Sequence, residues 1–278
     1  MILDEFGVKG KVALVTGAGR GIGKAIALVM AEAGADVALI ARTKEQLEQT
    51  AEEIRRLGRK TLVLPTDISQ GEQVNRAVEK TISEFGKIDI LCNNAAMLVI
   101  KPVIPVPEEI LTEWQVPVDE GGSHAISAEE WHRVLETNVT GAFYFAQAVG
   151  PHMIKRKTGK VINISSTDAE EGFPCMSAYS VSKAALSSFT RVLASEWASF
   201  NINVNAVAPG TIITEFASEW LEDPKELEFV TSLIPLGRLG EPREVALLTL
   251  FLASEASKYI TGQIFTIDGG AMGKGCGI

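Results

Sequence analysis

Short apolar runs alternate along the chain with longer stretches in which apolar residues recur every three or four positions. The short runs are apolar at nearly every position, as in strands that are covered on both faces of a sheet. The longer stretches are typical of amphipathic helices; in residues 44–57, Leu47, Ala51 and Ile54 share one face. This alternation predicts a parallel sheet. The seven predicted strands are 12–16, 36–41, 61–65, 88–92, 160–164, 202–207 and 263–267.

No linker, repeat or low-complexity tract interrupts this alternation. We therefore predict one α/β domain over residues 1–278, a doubly wound, seven-stranded parallel sheet of the Rossmann type with helices on both faces. A length of 278 residues suits such a domain. With 46% hydrophobic and 22% charged residues, the chain does not have the composition of a disordered protein.

The charge balance excludes several classes of partner. Lys and Arg total 26 against 35 for Asp and Glu, a net charge of −9, so we expect no binding to nucleic acid or to an anionic membrane. The first residues lack the basic and apolar segments of a secretion signal, and no apolar run reaches the roughly 18 residues needed to cross a bilayer. A cytoplasmic location is therefore expected.

The cysteines and histidines share no spacing typical of a disulfide framework or a zinc site. We expect reduced structural thiols and no bound metal. These residues are Cys92, Cys175 and Cys276, and His124, His132 and His152.

The segment 97–127 departs from the strand and helix rhythm. It holds four of the 11 prolines and a Gly-Gly pair, which together exclude a regular element through it. A short helix is predicted only over 107–114, because Pro suits a first helical turn and the two Glu residues after it suit a helix N-terminus. The remainder is predicted to be loop.

A glycine-rich turn follows the first predicted strand and precedes a helix over 24–33. Its sequence, Thr-Gly-Ala-Gly-Arg-Gly-Ile-Gly, has the spacing GxxxGxG, with Ile22 where the commoner GxGxxG fingerprint has its last glycine. Glycines such as Gly17 and Gly21 let the backbone approach a pyrophosphate at the helix N-terminus. The pattern indicates a dinucleotide site; a turn required only for packing is the alternative.

The residues at the end of the second predicted strand indicate which dinucleotide is preferred. NAD-binding sheets usually have an acidic residue there to bind the ribose hydroxyls, but this chain has Ala41 and Arg42. Arg42 and Arg20 of the glycine turn are expected to converge, and two guanidinium groups suit a 2′-phosphate. We therefore predict NADP(H) as the preferred cofactor, with NAD(H) possible and with solvated surface arginines as the alternative reading.

Three residues after the fifth strand predict a carbonyl-reducing site. Tyr179 and Lys183 are four residues apart, which places them on one helix face, where the ammonium would lower the pKa of the phenol. Tyr179 would then act as an acid or base. Ser166, at the carboxyl end of the strand, would donate a hydrogen bond to a substrate oxygen.

With these motifs the chain resembles the short-chain dehydrogenase/reductase family, in its single-domain oxidoreductase branch, over nearly its whole length. The motifs beyond the glycine turn follow the third, fourth and later strands. They are Asp67-Ile68, Asn93-Asn94-Ala95-Ala96, Asn138, Ser166, Tyr179-Ser180-Val181-Ser182-Lys183, Pro209-Gly210 and Asp268-Gly269-Gly270.

The resemblance implies a role for each catalytic residue. Tyr179 would be the proton donor or acceptor, and Lys183 would hold the nicotinamide ribose and lower the pKa of Tyr179. Ser166 would orient the substrate carbonyl, and Asn138 would support a water-linked proton relay. Hydride would pass between the nicotinamide and the substrate carbon.

The resemblance also implies contacts with the cofactor. Asp67 and Ile68 would flank the adenine, and Asn94 would lie along the cofactor. Ile212 and Thr214 would close over the nicotinamide amide, and the segment 211–232 would be a substrate lid. The implied cofactor-binding residues are Gly17, Arg20, Gly21, Ile22, Arg42, Asp67, Ile68, Asn94, Tyr179, Lys183, Ile212 and Thr214.

Two features depart from the family's pattern. Ala96 stands where glycine is usual, and its methyl group would restrict φ or crowd the cofactor. The proline-rich insertion 97–127 is longer than the family's usual connection to Asn138. We consider residues 100–122 either a wall of the substrate pocket or a surface excursion.

The sequence thus predicts an NADP(H)-dependent oxidoreductase that interconverts a ketone or aldehyde and its alcohol. An NAD(H)-dependent dehydrogenase of the same family and an inactive nucleotide-binding scaffold are the alternatives. The substrate is a small molecule whose identity the motifs do not give. The resemblance further implies a homo-oligomer, a tetramer or dimer, built partly from the Tyr179 helix and from a helix over 240–253 with the last strand.

Overall fold

The computed structural model describes residues 2–114, 125–214 and 224–275. Its seven strands form one parallel sheet in the order β3-β2-β1-β4-β5-β6-β7, which confirms the predicted fold class. The strands are β1 (Val12–Thr16), β2 (Asp36–Ala41), β3 (Thr61–Pro65), β4 (Ile90–Asn93), β5 (Gly159–Ile164), β6 (Ile202–Pro209) and β7 (Ile264–Ile267).

Helices connect the strands, as the periodicity predicts. The short helix in the insertion is present as α4, with Pro107 as its N-cap. A π-helical turn, Glu136–Thr140, joins α5 to α6. The helices are α1 (Gly21–Glu32), α2 (Lys44–Arg56), α3 (Gly71–Phe85), α4 (Glu108–Glu113), α5 (Ala128–Leu135), α6 (Gly141–Arg156), α7 (Ser177–Trp197), α8 (Pro224–Ser232) and α9 (Pro242–Ala253).

The sheet separates two hydrophobic cores because successive side chains of a strand point to opposite faces. In β1, Ala13 and Val15 pack with α1, α2 and α9 on one face. Leu14 packs with α3, α6 and α7 on the other. Both faces are therefore covered, which explains why β1 is apolar without alternation.

Two further expectations concern membrane-spanning segments and bound metal, and we compare them with the described residues. None of their helices is both long and apolar enough to cross a membrane, and they contain no group of three His, Cys, Asp or Glu residues that could hold a metal ion. Cys92 and Cys175 are buried free thiols. Cys276 and His124 lie outside the described residues.

A buried carboxylate connects strands at the edge of the sheet where β1 and β4 begin. Asp89, just before β4, accepts a hydrogen bond from the Val12 N–H at 2.9 Å and ion pairs with Arg156 and Lys87. Arg156 also donates to the Ile88 carbonyl. Burial raises the pKa of Asp89, but the hydrogen bonds from Lys87, Val12 and Arg156 outweigh it, so the net pKa lies below its usual value.

Replacing Asp89 with Asn should therefore destabilise the fold. Removing one partner of a buried ion pair costs about 3–5 kcal/mol when the charge left behind is also buried. The Arg156 and Lys87 side chains are 30% and 36% exposed, and Asn retains an acceptor for Val12, so we expect a smaller loss of about 1.5–3 kcal/mol. Urea unfolding at pH 7 measures it. Because the folded pKa is depressed, this stability exists above the unfolded pKa and is lost as pH falls, so the difference from wild type should shrink on acidification.

The matched control is Glu84→Gln, which removes an exposed carboxylate that pairs with Lys80. That change should leave the unfolding midpoint unaltered. Equal midpoints for Asp89→Asn and wild type at pH 7 would show that the ion cluster does not stabilise the sheet.

Candidate active site

The candidate site lies at the edge formed by the carboxyl ends of the strands. From β1 the chain winds outward to β2 and β3 and then returns to β4, on the other side of β1. The direction of winding therefore reverses between β1 and β4, and open α/β sheets bind ligands in the crevice at such a point. The glycine turn follows β1 and Asn94 follows β4, so both predicted features border this crevice.

Thr16 fastens the ends of β1 and β4 to each other. Its hydroxyl donates to the Cys92 carbonyl at 3.3 Å and accepts from the N–H groups of Asn94 and Ala95 at 2.9 and 3.0 Å. The Asn94 side-chain amide in turn donates to the Thr16 carbonyl at 2.9 Å. Asn94 therefore braces the glycine turn.

Two different constraints explain why glycine occupies positions of this turn. A Cβ at Gly17 would lie 2.6 Å from the Asn94 amide nitrogen, and one at Gly23 would lie 2.2 Å from the Gly17 carbonyl oxygen, so packing requires both. Gly21 has a φ of +53°, and its Cβ would meet nothing nearer than Thr214 at 3.4 Å. The backbone is thus open to a ligand where α1 begins.

The beginning of α1 fits a pyrophosphate. Arg20, the N-cap residue, makes no side-chain capping hydrogen bond, and the first turn has no acidic residue. Helix N-termini present unpaired N–H groups and the positive end of the helix dipole. Residues 20–23 can therefore bind a dinucleotide phosphate through the backbone.

Arg20 and Arg42 lie at neighbouring positions of the same edge. The Ala18 N–H donates to the Ile40 carbonyl at 3.1 Å, and each arginine follows this bonded pair by two residues. Both side chains are exposed, and neither forms an ion pair with another described residue. Two guanidinium groups are therefore available beside the turn.

Asp67 and Ile68 follow β3 at this edge. One carboxylate oxygen of Asp67 accepts from the Ser69 N–H and hydroxyl at 3.0 and 2.7 Å, which fixes the side chain in its own turn. Ile68 is buried, and a Cβ at Gly141 would lie 2.8 Å from its Cδ1. Ile68 thus packs closely on the start of α6.

Ala96 is accommodated without backbone strain. The described non-glycine residues with positive φ are Lys157, Cys175 and Asn201, so Ala96 does not occupy the left-handed region in which glycine is favoured. The restriction on φ that the sequence suggested is absent.

Asn138 lies in the π-helical turn and is buried. Its amide oxygen accepts from the Met97 N–H at 2.7 Å, and its amide nitrogen donates to the Met97 carbonyl and to the Ser182 hydroxyl, each at 2.9 Å. The Ser182 hydroxyl donates to the Tyr179 carbonyl at 2.6 Å. Asn138 therefore connects the start of the insertion with α7, the helix that carries Tyr179 and Lys183.

Ser166 and Asp168 form a pair at the end of β5. The Ser166 hydroxyl donates to Asp168 Oδ2 at 2.9 Å and accepts from the Asp168 N–H at 3.2 Å. Burial raises the pKa of Asp168, an effect that the Ser166 hydrogen bond and the charge of Lys183 oppose. The carboxyl group is thus held directly beside the predicted carbonyl-binding hydroxyl.

Lys183 is buried and lies over the ring of Tyr179. Its Nζ is 5.4 Å from the centre of the ring and donates to the Ile164 carbonyl at 2.7 Å. Burial lowers the pKa of Lys183 to about 8, although the charge of Asp168 opposes this. The predicted pairing of Tyr179 and Lys183 on one face of α7 is present.

The pKa of Tyr179 differs from the sequence-based expectation. Burial raises it, and so does the negative charge of Asp168, while a hydrogen bond with Ser166 lowers it. Burial is the largest of these effects, and the Lys183 ammonium, 5.4 Å from the ring centre, does not reverse it. The expected lowering is therefore wrong for the chain alone, and Tyr179 is a protonated phenol at neutral pH.

The segment after β6 reaches back over the glycine turn. Ile212 is bridged to Gly240, and the Ile213 N–H donates to the Gly240 carbonyl at 2.8 Å. Thr214 lies close to Gly21, as an implied cofactor contact should. Of the predicted lid 211–232, residues 215–223 lie outside the described residues.

The two ends of the insertion lie side by side in the structure. We call this point, formed by Lys101, Pro102 and Ile126, the neck of the insertion. The Ile126 N–H donates to the Pro102 carbonyl at 2.8 Å, and Lys101 forms an ion pair with Glu130 of α5 at 2.6 Å. The Lys101 N–H donates to the carbonyl of Cys175, just before α7. The neck is thus attached to the segment between Ser166 and Tyr179, while residues 115–124 lie outside the described residues.

Sequence reasoning missed a buried polar chain behind the site. The Asn93 amide donates to Asn163 at 2.9 Å, and the Asn163 amide donates to Thr190 of α7 at 2.8 Å. This chain connects β4, β5 and the catalytic helix. Its signal in the sequence was the polar side chains of Asn93 and Asn163 inside otherwise apolar strands, which need buried partners.

Comparisons with known proteins agree with this geometry. A family model described as enoyl-(acyl carrier protein) reductase matches residues 17–272. The 3-oxoacyl-[acyl-carrier-protein] reductase of Thermotoga maritima is 38% identical over 263 residues, 95% of this chain and 98% of that protein. The NAD-dependent glycerol dehydrogenase of Listeria innocua is 38% identical over 271 residues, 96% of this chain and 95% of that protein.

The solved structures include a gluconate 5-dehydrogenase from Burkholderia cenocepacia in complex with NADP and tartrate. It matches with a TM-score of 0.85 at 33% identity and covers 98% of this chain and 99% of its own. These relatives are dehydrogenases and reductases, and the names include both NAD and NADP. The chain belongs to the short-chain dehydrogenase/reductase family and is an oxidoreductase of that family.

Proposed function

We propose that the protein is an NADP(H)-dependent oxidoreductase that interconverts a ketone or aldehyde and the corresponding alcohol. The observation that carries this proposal is the placement of the Tyr179 ring 5.4 Å from the Lys183 ammonium, with Ser166 at the end of β5, at the sheet edge that also bears the glycine turn. The small-molecule substrate binds over these three side chains.

Each side chain has a distinct part in the reaction. A bound NADPH supplies a hydride to the carbonyl carbon. Tyr179 gives its proton to the carbonyl oxygen, so that the products are the alcohol and NADP⁺, and the phenol regains a proton from solvent. Ser166 donates a hydrogen bond to the same oxygen, where negative charge develops.

Lys183 and Asn138 support this proton transfer. Lys183, buried beside the phenol ring, stabilises the phenolate that forms when Tyr179 gives up its proton, and it holds the nicotinamide ribose. Asn138 holds Met97 and Ser182 in place and supports a water-linked proton relay. An inactive scaffold would not need these groups together.

Arg20 and Arg42 support NADP(H) over NAD(H). Their exposed side chains lie at neighbouring positions and have no acidic partner among the described residues. A 2′-phosphate offers them charge-assisted hydrogen bonds, whereas a ribose diol does not.

We also propose that the insertion is a wall of the substrate pocket. Its neck is bonded to Cys175, between Ser166 and Tyr179 in the chain, and through Met97 to Asn138. Leu111 of α4 is only 4% exposed, so this short helix is packed and not free.

The homo-oligomer implied by the family remains a proposal. Phe143 of α6 and Val181 and Val192 of α7 are 44–49% exposed, which supports a subunit contact on this face. The state is a tetramer or dimer, and the cytoplasmic location stays a prediction.

The cofactor proposal predicts separate losses for the two arginines. Arg20→Ala and Arg42→Ala should each raise the Kd for NADPH at least about tenfold, because a hydrogen bond to a charged group contributes about 1.5–3 kcal/mol. The Kd for NADH should change little. Titration of nicotinamide fluorescence measures both constants.

The control for this titration is Arg76→Ala, an exposed arginine of α3 that pairs with Glu72. It should bind both nucleotides as wild type does. Tighter binding of NADH than NADPH by the wild type would favour the NAD(H) alternative, and binding of neither would favour the scaffold.

Tyr179→Phe should abolish turnover and preserve cofactor binding. Removing a general acid lowers the rate by about 10²–10⁴-fold, so carbonyl reduction should fall at least about 100-fold. The Kd for NADPH should change far less than the rate, because phenylalanine keeps the aromatic ring beside the implied cofactor site and loses only the hydroxyl that acts on the substrate. Tyr259→Phe, at a fully exposed tyrosine, is the control. Undiminished reduction by Tyr179→Phe would refute the proposed chemistry.

Deleting the insertion should impair substrate recognition alone. Residues 103–125 can be replaced by two glycines, since the hydrogen bond from Ile126 to Pro102 already brings the ends together. We expect KM for the best carbonyl substrate to rise about tenfold or more, the equivalent of about 1.4 kcal/mol of lost binding, with NADPH affinity retained. Unchanged KM and kcat would show that the segment is a surface excursion.

A further inference from the structure

Asp168 is the acidic group closest in the chain to the hydroxyl that binds the substrate oxygen. The three-residue turn Thr167–Ala169 begins directly after Ser166, whose hydroxyl accepts from the Asp168 N–H. This local hydrogen bond directs the chain so that the carboxyl group returns to Ser166, with 2.9 Å between Ser166 Oγ and Asp168 Oδ2. Its position is therefore fixed by the backbone and not by a distant partner.

The carboxyl group is only half satisfied by the protein. Oδ2 accepts the Ser166 hydroxyl, whereas Oδ1 accepts no hydrogen bond from the described residues and is not among the buried unpaired atoms. The nearby cation Lys183 donates to the Ile164 carbonyl instead. Asp168 thus presents a free acceptor beside the reacting groups.

A carboxylate at this position opposes the reaction unless something offsets it. Reduction places negative charge on the substrate oxygen next to Ser166, and a neighbouring negative charge raises the energy of that state. Asp168 also competes with the substrate for the only proton of the Ser166 hydroxyl. A hydrogen-bond donor on the substrate that binds the carboxylate would reduce the charge repulsion and would release the Ser166 proton for the carbonyl oxygen.

We propose that Asp168 is a specificity-determining residue that selects carbonyl compounds bearing a hydrogen-bond donor, a hydroxyl or an ammonium, on the carbon next to the carbonyl. The donor binds Asp168 while the carbonyl oxygen binds Ser166 and Tyr179. When Ser166 turns its proton to the substrate carbonyl, Asp168 Oδ2, 2.9 Å from Ser166 Oγ, loses its donor and accepts the hydrogen bond of the substrate's donor group in its place. The two oxygens of a vicinal hydroxy ketone lie about this far apart. This inference rests on the proposed carbonyl reduction.

Matched ketone pairs test the inference. The pairs are 2-hydroxyacetophenone with 2-methoxyacetophenone and hydroxyacetone with methoxyacetone, in which only the donor proton is replaced by a methyl group. The wild type should reduce the hydroxy member at least about tenfold faster, as kcat/KM measured by NADPH oxidation. Asp168→Ala should remove this preference, and Asp168→Asn, which keeps an acceptor of the same shape, should leave part of it.

Glu170→Gln is the control, because it removes an exposed carboxylate from the same segment and should keep the wild-type preference. NADPH binding by both Asp168 variants establishes that they are folded. Equal rates for the two members of a pair in the wild type, or a full preference in Asp168→Ala, would overturn the role of Asp168 alone. Reduction of no ketone in either pair would contradict the proposed function.

Discussion

The hydrogen bonds of Thr16 are the constraint on which the rest of the site depends. One hydroxyl joins the carboxyl ends of the neighbouring strands β1 and β4, and it does so where the winding of the sheet reverses. Because Asn94 then packs against the turn, Gly17 and Gly23 have no space for a side chain. The glycine pattern is therefore partly a consequence of this junction, and only the open backbone at Gly21 is left for a ligand. Packing accounts for Gly17 and Gly23, whereas the positive φ of Gly21 and the open space around it leave the backbone accessible there.

Charge at the catalytic end is balanced among three buried or half-buried groups. Burial alone would favour neutral forms of Tyr179, Lys183 and Asp168, and each group's pKa moves in that direction. The result is a protonated phenol, which is the form a proton donor needs for reduction. Burial lowers the pKa of Lys183, and the negative charge of Asp168 opposes this shift and favours the ammonium form. Its ammonium can thus stabilise the phenolate after proton transfer even though it does not create one beforehand.

The sequence was sufficient for the elements that local pattern determines. The bounds of β1, β2 and β3 agree with the predicted strands, because unbroken apolar runs bounded by Gly, Asp and Thr leave little freedom. The contacts of Asn138 could not be predicted, because its partners Met97 and Ser182 are 41 and 44 residues away in the chain. The pKa of Tyr179 was misjudged for a related reason. The i,i+4 spacing gives the distance to Lys183 but not the burial of the phenol, nor the return of Asp168 toward Ser166.

The predicted phosphate-binding end of the site and the end with Ser166 and Tyr179 differ in how specific their features are. The predicted phosphate end offers backbone N–H groups and two arginines, which would suit any dinucleotide with the right charge. At the chemical end, two features of this chain meet at the segment between Ser166 and Tyr179. Asp168 lies at its beginning, and the neck of the insertion is bonded to Cys175 at its end. Cys175 has a φ of +65°, an unfavourable conformation for a residue with a side chain, so the hydrogen bond from Lys101 helps to hold it. Substrate recognition should therefore depend on this one segment, with the carboxylate selecting the group beside the carbonyl and the insertion enclosing the remainder of the molecule.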